Sequence, residues 1–252
     1  MTTATGENPL VDQAIDKLKE IDDKVRELFD KVNEVMSWVP SILSNLIEPV
    51  QRVMNQLNQK INAFWDACEK FSTERGNPDR LKQVAAEWSS HIGDVVSGIA
   101  GTVSLDKLKT AIDWTGKGAE TYKSTVPAQV GGLNSLKDLA LQMRNSLTDL
   151  ANGIDGFWKQ ILGILIGLGI ALVVAILSAL TVVGIPAAIA ILVWMIGAGI
   201  ASIFTTISAV DSLTGTISNE QTAIHDKVVA LGSTWSATYT STMSQSSDWH
   251  VQ

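Results

Sequence analysis

The side chains that could do chemistry are few in this chain, and their spacing does not suit it. Three histidines, His91, His225 and His250, lie far apart, and none stands in a His-Glu-x-x-His pair that would hold zinc on one helix face. Cys68 is the single cysteine, which excludes an internal disulfide framework and a cysteine-based zinc cluster. Its helical spacing from apolar neighbours predicts a packed thiol. There is no Walker loop, no Gly-x-Ser-x-Gly and no Cys-x-x-Cys. Gly163-x-x-x-Gly167-x-Gly169 imitates a nucleotide loop, but no strand precedes it and its neighbours are apolar, so helix packing accounts for it. Carboxylate pairs such as Asp22-Asp23 fall on charged helix faces, where solvation accounts for them. The expectation is a protein with no catalytic residue, cofactor, metal or small-molecule substrate.

The chemistry that the spacing does allow is solvation. From Gln160 to Val210 the chain carries no Asp, Glu, Lys, Arg or His. A bilayer core about 30 Å thick needs roughly 20 apolar helical residues, so this run is long enough to cross twice. Gly184 and Pro186 fall near its middle, where Gly permits a reversal and Pro interrupts a helix. The pattern predicts two apolar helices, about 161–182 and 187–208, folded back to back. Ile161, Leu165, Leu172 and Ile176 would insert from the first, and Ile191, Trp194 and Ile203 from the second. Gly163, Gly167, Gly169, Gly197 and Gly199 offer small-residue surfaces for close helix approach. Trp158 and Lys159, at the entry to the first helix, have the character of an interfacial anchor. Trp194, inside the second, is expected to pack on its partner. The alternative is a hairpin buried in a soluble core, although such helices usually keep a polar stripe and these offer only Ser and Thr.

The elements that must carry this hairpin are also helical. Asn8-Pro9 reads as an N-cap followed by proline at the first helical position. Behind it Val11, Leu18, Val25, Val32 and Val39 recur every seven residues, with Ala14, Ile21, Leu28 and Val35 three after each, a coiled-coil-like amphipathic pattern that ends at Pro40. A second helix, about 41–71, repeats Leu43, Val50, Leu57, Phe64 and Phe71, with Pro49 as a kink or true start. Arg75-Gly76-Asn77-Pro78 reads as stop, cap and restart. The next helix turns Leu81, Val84, Trp88, Ile92, Val95 and Ile99 inward, and Ser104 caps a short one to Ile112. After Trp114-Thr115-Gly116 a pattern from Ala119 to Phe157 runs straight into the hairpin, and it resumes from Val210 to Trp235. At 1.5 Å per residue each flanking helix is about 50 Å long. Trp38, Trp65, Trp88 and Trp235 fit core positions. The Ser/Thr-rich tail, 236–252, reads as frayed.

With 252 residues, a net charge of −7 and a pI near 4.9, the chain has neither the basic stripe that nucleic acid selects nor a polybasic lipid anchor. Its first residues, MTTATGENPL, have no basic and apolar regions of the Sec signal type.

Trp114-Thr115-Gly116, followed by Ala119 and Tyr122, resembles the Trp-x-Gly signature of the WXG (ESAT-6-like) proteins of type VII secretion. The stretch from Gly76 through Trp88 also resembles the entry to such domains in larger actinobacterial proteins. The resemblance covers about residues 76–157 and implies two antiparallel helices meeting at a turn of Trp114 and Gly116, with Tyr122 on the second. That family's tag, Tyr followed four residues later by an acid, is not matched: Val126 follows Tyr122 and Met243 follows Tyr239. Long helices ending in an apolar hairpin also resemble, in architecture alone, α-helical pore-forming toxins of the cytolysin A and haemolysin BL type.

The expected fold is therefore all-α: an elongated antiparallel helical bundle with an apolar, transmembrane-type hairpin at one tip. Residues 1–156 would form the bundle, 157–210 the hairpin, and 211–252 the returning helix and tail. The expected function is that of a non-enzymatic membrane-inserting protein of a type VII-like or envelope system, in the producer's membrane. It would have the lipid bilayer and helical homo- or hetero-oligomer contacts as partners, and no nucleic acid. The alternatives are a secreted pore-forming toxin or toxin subunit entering a target membrane, and a soluble helical scaffold.

Overall fold

The computed structural model describes residues 8–38, 47–72, 76–108, 114–178 and 184–237. Every regular element among them is helical. Helix α1 is Pro9–Ser37, α2 is Ile47–Ser72, and α3 is Pro78–Glu87. A π-helical segment, Trp88–Gly93, joins α3 to α4, Asp94–Thr102; α5 is Lys117–Ser178 and α6 is Gly184–Ala237.

The helix starts follow the sequence signals. Asn8 caps α1, its Oδ1 accepting from the Leu10 amide at 3.0 Å, and Pro9 takes a first-turn position that needs no N–H. Pro49 is the third residue of α2, so it lies in the first turn rather than at a kink. Pro186 does the same in α6, which has already begun at Gly184. Of the turn expected at 182–187, Gly184 and Pro186 lie in the first turn of this helix, and residues 179–183 lie outside the described residues. The short helix expected from Ser104 to Ile112 is a single turn as far as it is described, closed by Lys107 and Leu108 amides on the Ser104 carbonyl. Residues 109–113 and the tail beyond Ala237 lie outside.

The chain divides into two compact units, Met1–Pro78 with Asn152–Leu213, and Asp79–Ala151 with Thr214–Gln252. In the first unit a single hydrophobic cluster draws on four helices. From α1 come Val11, Ala14, Ile21, Val25, Leu28 and Val32; from α2, Val50, Leu57, Ile61, Phe64, Ala67 and Cys68. From α5 come Trp158, Ile161, Leu165, Leu168 and Leu172, and from α6 Ile185, Ile189, Leu192, Ile196 and Ile203. Of the seven-residue rows read from α1, Val11, Val25, Val32, Ala14, Ile21 and Leu28 are buried and Leu18 and Val35 half-buried, while Val39 lies outside the described residues. Gly76, at φ +63°, stands where an added Cβ would meet Ile154 Cγ2 at 3.0 Å, so backbone conformation and space both call for glycine. Burial pushes the Cys68 thiol up to about 12.

In the second unit the π segment changes which face is buried. A continuous α-helix through Leu81, Val84, Trp88 and Ile92 would bring Val95 and Ile99 inward. Instead Gly93, Val96 and Ala100 are buried, and Val95 and Ile99 are exposed. A π turn holds one extra residue, so every position beyond it is displaced by one. Gly93 then faces Ala140, where an added Cβ would lie 3.7 Å from Ala140 Cβ.

A polar network joins α5 to α6 in this unit. Gln142 Nε2 and Ser146 Oγ donate to Glu220 Oε2 at 2.9 and 3.1 Å, and Lys227 Nζ donates to Gln142 Oε1 at 2.6 Å. The Gln142 hydrogen bond, with that from Ser146, holds the Glu220 carboxyl below its usual 4.5. A carboxyl with a lowered folded pKa stabilises the fold above the unfolded pKa, and that contribution is lost as pH falls through the folded value. Glu220→Gln should therefore lower the melting temperature at pH 7, and the difference from wild type should shrink as pH drops below 4.5. Melting curves followed by circular dichroism at stepped pH would show it.

Candidate membrane-contact surface

Two helices among the described residues are long and apolar enough to cross a membrane, α5 and the Gly184–Leu231 part of α6. The inner faces of their apolar segments belong to the first unit's cluster. Thr206 Oγ1 donates to the Ser202 carbonyl at 2.8 Å and lies 3.2 Å from Gln160 Oε1. An added Cβ on Gly199 would meet Leu168 Cδ1 at 3.3 Å. As numbers rise along α5 from Gln160 to Leu168, those of its α6 neighbours therefore fall, from Thr206 to Gly199. Of the five glycines expected to admit a neighbouring helix, Gly163, Gly167, Gly169 and Gly197 have open space where a Cβ would stand, and Gly199 meets a side chain rather than a backbone. Lys70 Nζ from α2 lies 4.8 Å from the centre of the Phe204 ring, tying α2 to α6. A small void lined only by apolar groups, among them Ile21, Val25, Phe64, Leu168 and Ile196, lies within this cluster.

The outer faces are exposed and remain apolar. On α5, Ile166, Ile170, Val173, Val174 and Leu177 recur at helical spacing along one stripe. On α6, Ile191 and Trp194 share a face with Ala187, Ala190, Ala198 and Ala201. Isolated exposed aliphatic residues are ordinary, whereas these form stripes along two segments that carry no charge between Gln160 and Val210.

The residues expected to insert divide between these two faces. Ile161, Leu165, Leu172, Ile176 and Ile203 lie in the cluster, Ile191 and Trp194 lie on the stripe, and Gly184 and Pro186 are half-buried. Trp158, read as an interfacial anchor, is 2% exposed and meets Phe157 edge-on at 5.3 Å, while Lys159 beside it is exposed. Trp194, read as packing on its partner, is 72% exposed, and Trp38, read as core, is 80% exposed at the end of α1. The residues that sequence reasoning missed are Ile166, Ile170, Val174 and Leu177. Their four-residue spacing is visible, but in a helix apolar on every side each face has the same spacing.

The Trp-x-Gly segment has its own geometry in the second unit. Gly116 has φ +101°, and its carbonyl accepts from the Glu120 amide at 3.1 Å as α5 begins. The Trp114 ring lies 5.8 Å from Tyr122 at 49°, and its Cζ2 is 3.3 Å from where a Cβ on Gly118 would stand. Gly116→Ala would place an L side chain in a backbone region it rarely adopts, at a cost of about 1–3 kcal/mol. A lower urea midpoint with helicity unchanged in water is expected.

Among the described residues no group of three or more His, Cys, Asp or Glu side chains is gathered closely enough to hold a metal ion. No protein-family model, curated protein or solved structure matches this chain.

Proposed function

We propose that this chain is a non-enzymatic membrane-inserting helical protein, attached through the apolar hairpin of residues 160–210. In this reading α5 and α6 form an antiparallel pair in an elongated bundle, and the hairpin is its membrane end. The observation that carries it is the pair of uncharged, exposed stripes on α5 and α6, in a run long enough to cross a bilayer twice. The Trp114–Gly116 turn, with Tyr122 against the indole, supports a WXG-like helical pair and so a place in a type VII-like or envelope system. The heptad faces of α1 and α2 would serve oligomer contacts once they leave the core.

A second reading draws on a different observation. The inner faces of the apolar segments are covered by α1 and α2, as a pore-forming protein would need while still in water. Cell fractionation with alkaline carbonate extraction tests both readings. The attached form is expected in the carbonate-resistant membrane pellet of the producing cell, and the toxin form as a soluble species in the medium. A protein recovered wholly in the cytosol, and failing to partition into vesicles, would overturn both in favour of a scaffold.

A further inference from the structure

Outside the core of unit one, α1 carries the ion pairs Lys17–Glu20, Lys19–Asp16, Arg26–Asp22 and Lys31–Glu34, and α2 carries Arg52–Glu48, with side chains that are exposed or half-buried. Elsewhere on its surface, the α5 and α6 segments present stripes with no charge from Gln160 to Val210. The core holds these elements together, so the apolar segments have only their outer faces to offer. Crossing the bilayer in this state would carry the α1 and α2 charges into hydrocarbon, where each costs several kcal/mol unless it can reach water.

From this geometry we infer that the first unit docks side-on to a zwitterionic bilayer, with both stripes lying in the interface plane and α1 and α2 kept on the water side. This rests on the membrane reading above and describes the contact made before insertion, while α1 and α2 still cover the inner faces, with an orientation, a depth and a lipid class. An interfacial helix buries its apolar face about 5–10 Å into the boundary of headgroups and acyl chains. The lipid class follows from charge. The stripes themselves carry no cation, the cations beside them are Lys159 and Lys70, the latter held over the Phe204 ring, and the chain's net charge is −7, so the balance of charge does not favour anionic lipid. Trp194, exposed in the middle of its stripe, has the amphipathic ring that this boundary favours.

The test is a depth profile on the full chain. Single cysteines replace Ile166, Ile170, Val174, Leu177, Ile191 and Trp194 in turn, in a Cys68→Ser background. If that background loses helicity, Cys68 is kept, because the buried native thiol reacts slowly beside an exposed one. Each variant carries an environment-sensitive fluorophore and is mixed with phosphatidylcholine vesicles holding quenchers at graded depths. Side-on docking predicts one shallow depth for all six sites, and binding at least as strong as to vesicles containing phosphatidylserine. Depths graded from Ile166 to Leu177, about 16 Å apart along the helix axis, would overturn side-on docking and leave the membrane reading standing. No vesicle binding would overturn both. Probes shielded without lipid, in a protein that sediments as a dimer, would identify a second copy as the occupant and overturn the lipid assignment. A flexible bismaleimide bridge between Lys70→Cys and Phe204→Cys, which ties α2 to α6, should leave vesicle binding within twofold. A tenfold loss would show that α2 must depart before contact.

Discussion

Replacing Ile170 and Val174 together with lysine is expected to weaken vesicle binding at least ~100-fold while leaving the fold in water nearly unchanged. Both side chains are exposed, at 61% and 57%, so neither contributes much to the core. Surface changes of this kind usually move stability by no more than about 0.5 kcal/mol. In contact with lipid the balance differs. An aliphatic side chain moved wholly out of water contributes about 1.5–3 kcal/mol, so these two, each a little over half exposed, contribute about 2–4 kcal/mol together before any charge is counted. The lysines then add the cost of holding ammonium groups near hydrocarbon, reduced by whatever snorkelling the stems allow. Co-sedimentation with vesicles, paired with a thermal melt of the same sample, reads both quantities. Unchanged binding would mean that these stripes face something other than lipid.

Trp158→Ala should have the opposite profile. The indole is 2% exposed and packs among Ile161 and its cluster neighbours, so removing it leaves a cavity costing about 3–5 kcal/mol. Its edge-on contact with Phe157 is lost as well. Trp158→Phe keeps most of the volume and should recover more than half of the loss. Urea unfolding followed by circular dichroism is the measurement, and two transitions can be resolved if the two units unfold separately. An interfacial anchor would behave otherwise: its removal would weaken vesicle binding and leave the urea midpoint where it was.

The sequence was readable where the pattern alternates and unreadable where it does not. In α1 the seven-residue rows through Val11 and Ala14 are bounded by Lys, Asp and Glu, and the buried set of the folded protein follows them. Asn8-Pro9 and Pro78 announce helix starts because the first turn has free N–H groups and tolerates proline. Between Gln160 and Val210 there is no polar face to set against an apolar one, so the existence of helices can be read but not which side turns inward. That is why Trp194, expected to pack on its partner, is exposed instead. Beyond Trp88 the error has another origin. A π turn is a pattern of backbone hydrogen bonds that no side chain in Trp88–Gly93 declares, and a strict 3.6-residue count carried across it arrives one position early.

That extra residue can also be regarded as a dislocation in an otherwise periodic lattice, and dislocations can glide. If it migrated out through the end of α4, no helix would have to unravel. The residues from Asp94 to Thr102 would turn about 100° around the axis, the angle of one residue in a 3.6-residue turn. Val95 and Ile99 would then take the places held by Val96 and Ala100, and Gly93 would swing away from Ala140. Gly93 now admits a close approach of Ala140, and Ile99 in the place of Ala100 would bring a branched side chain where a methyl group stands. The rotational setting of α4 is thus fixed by where a single surplus residue resides.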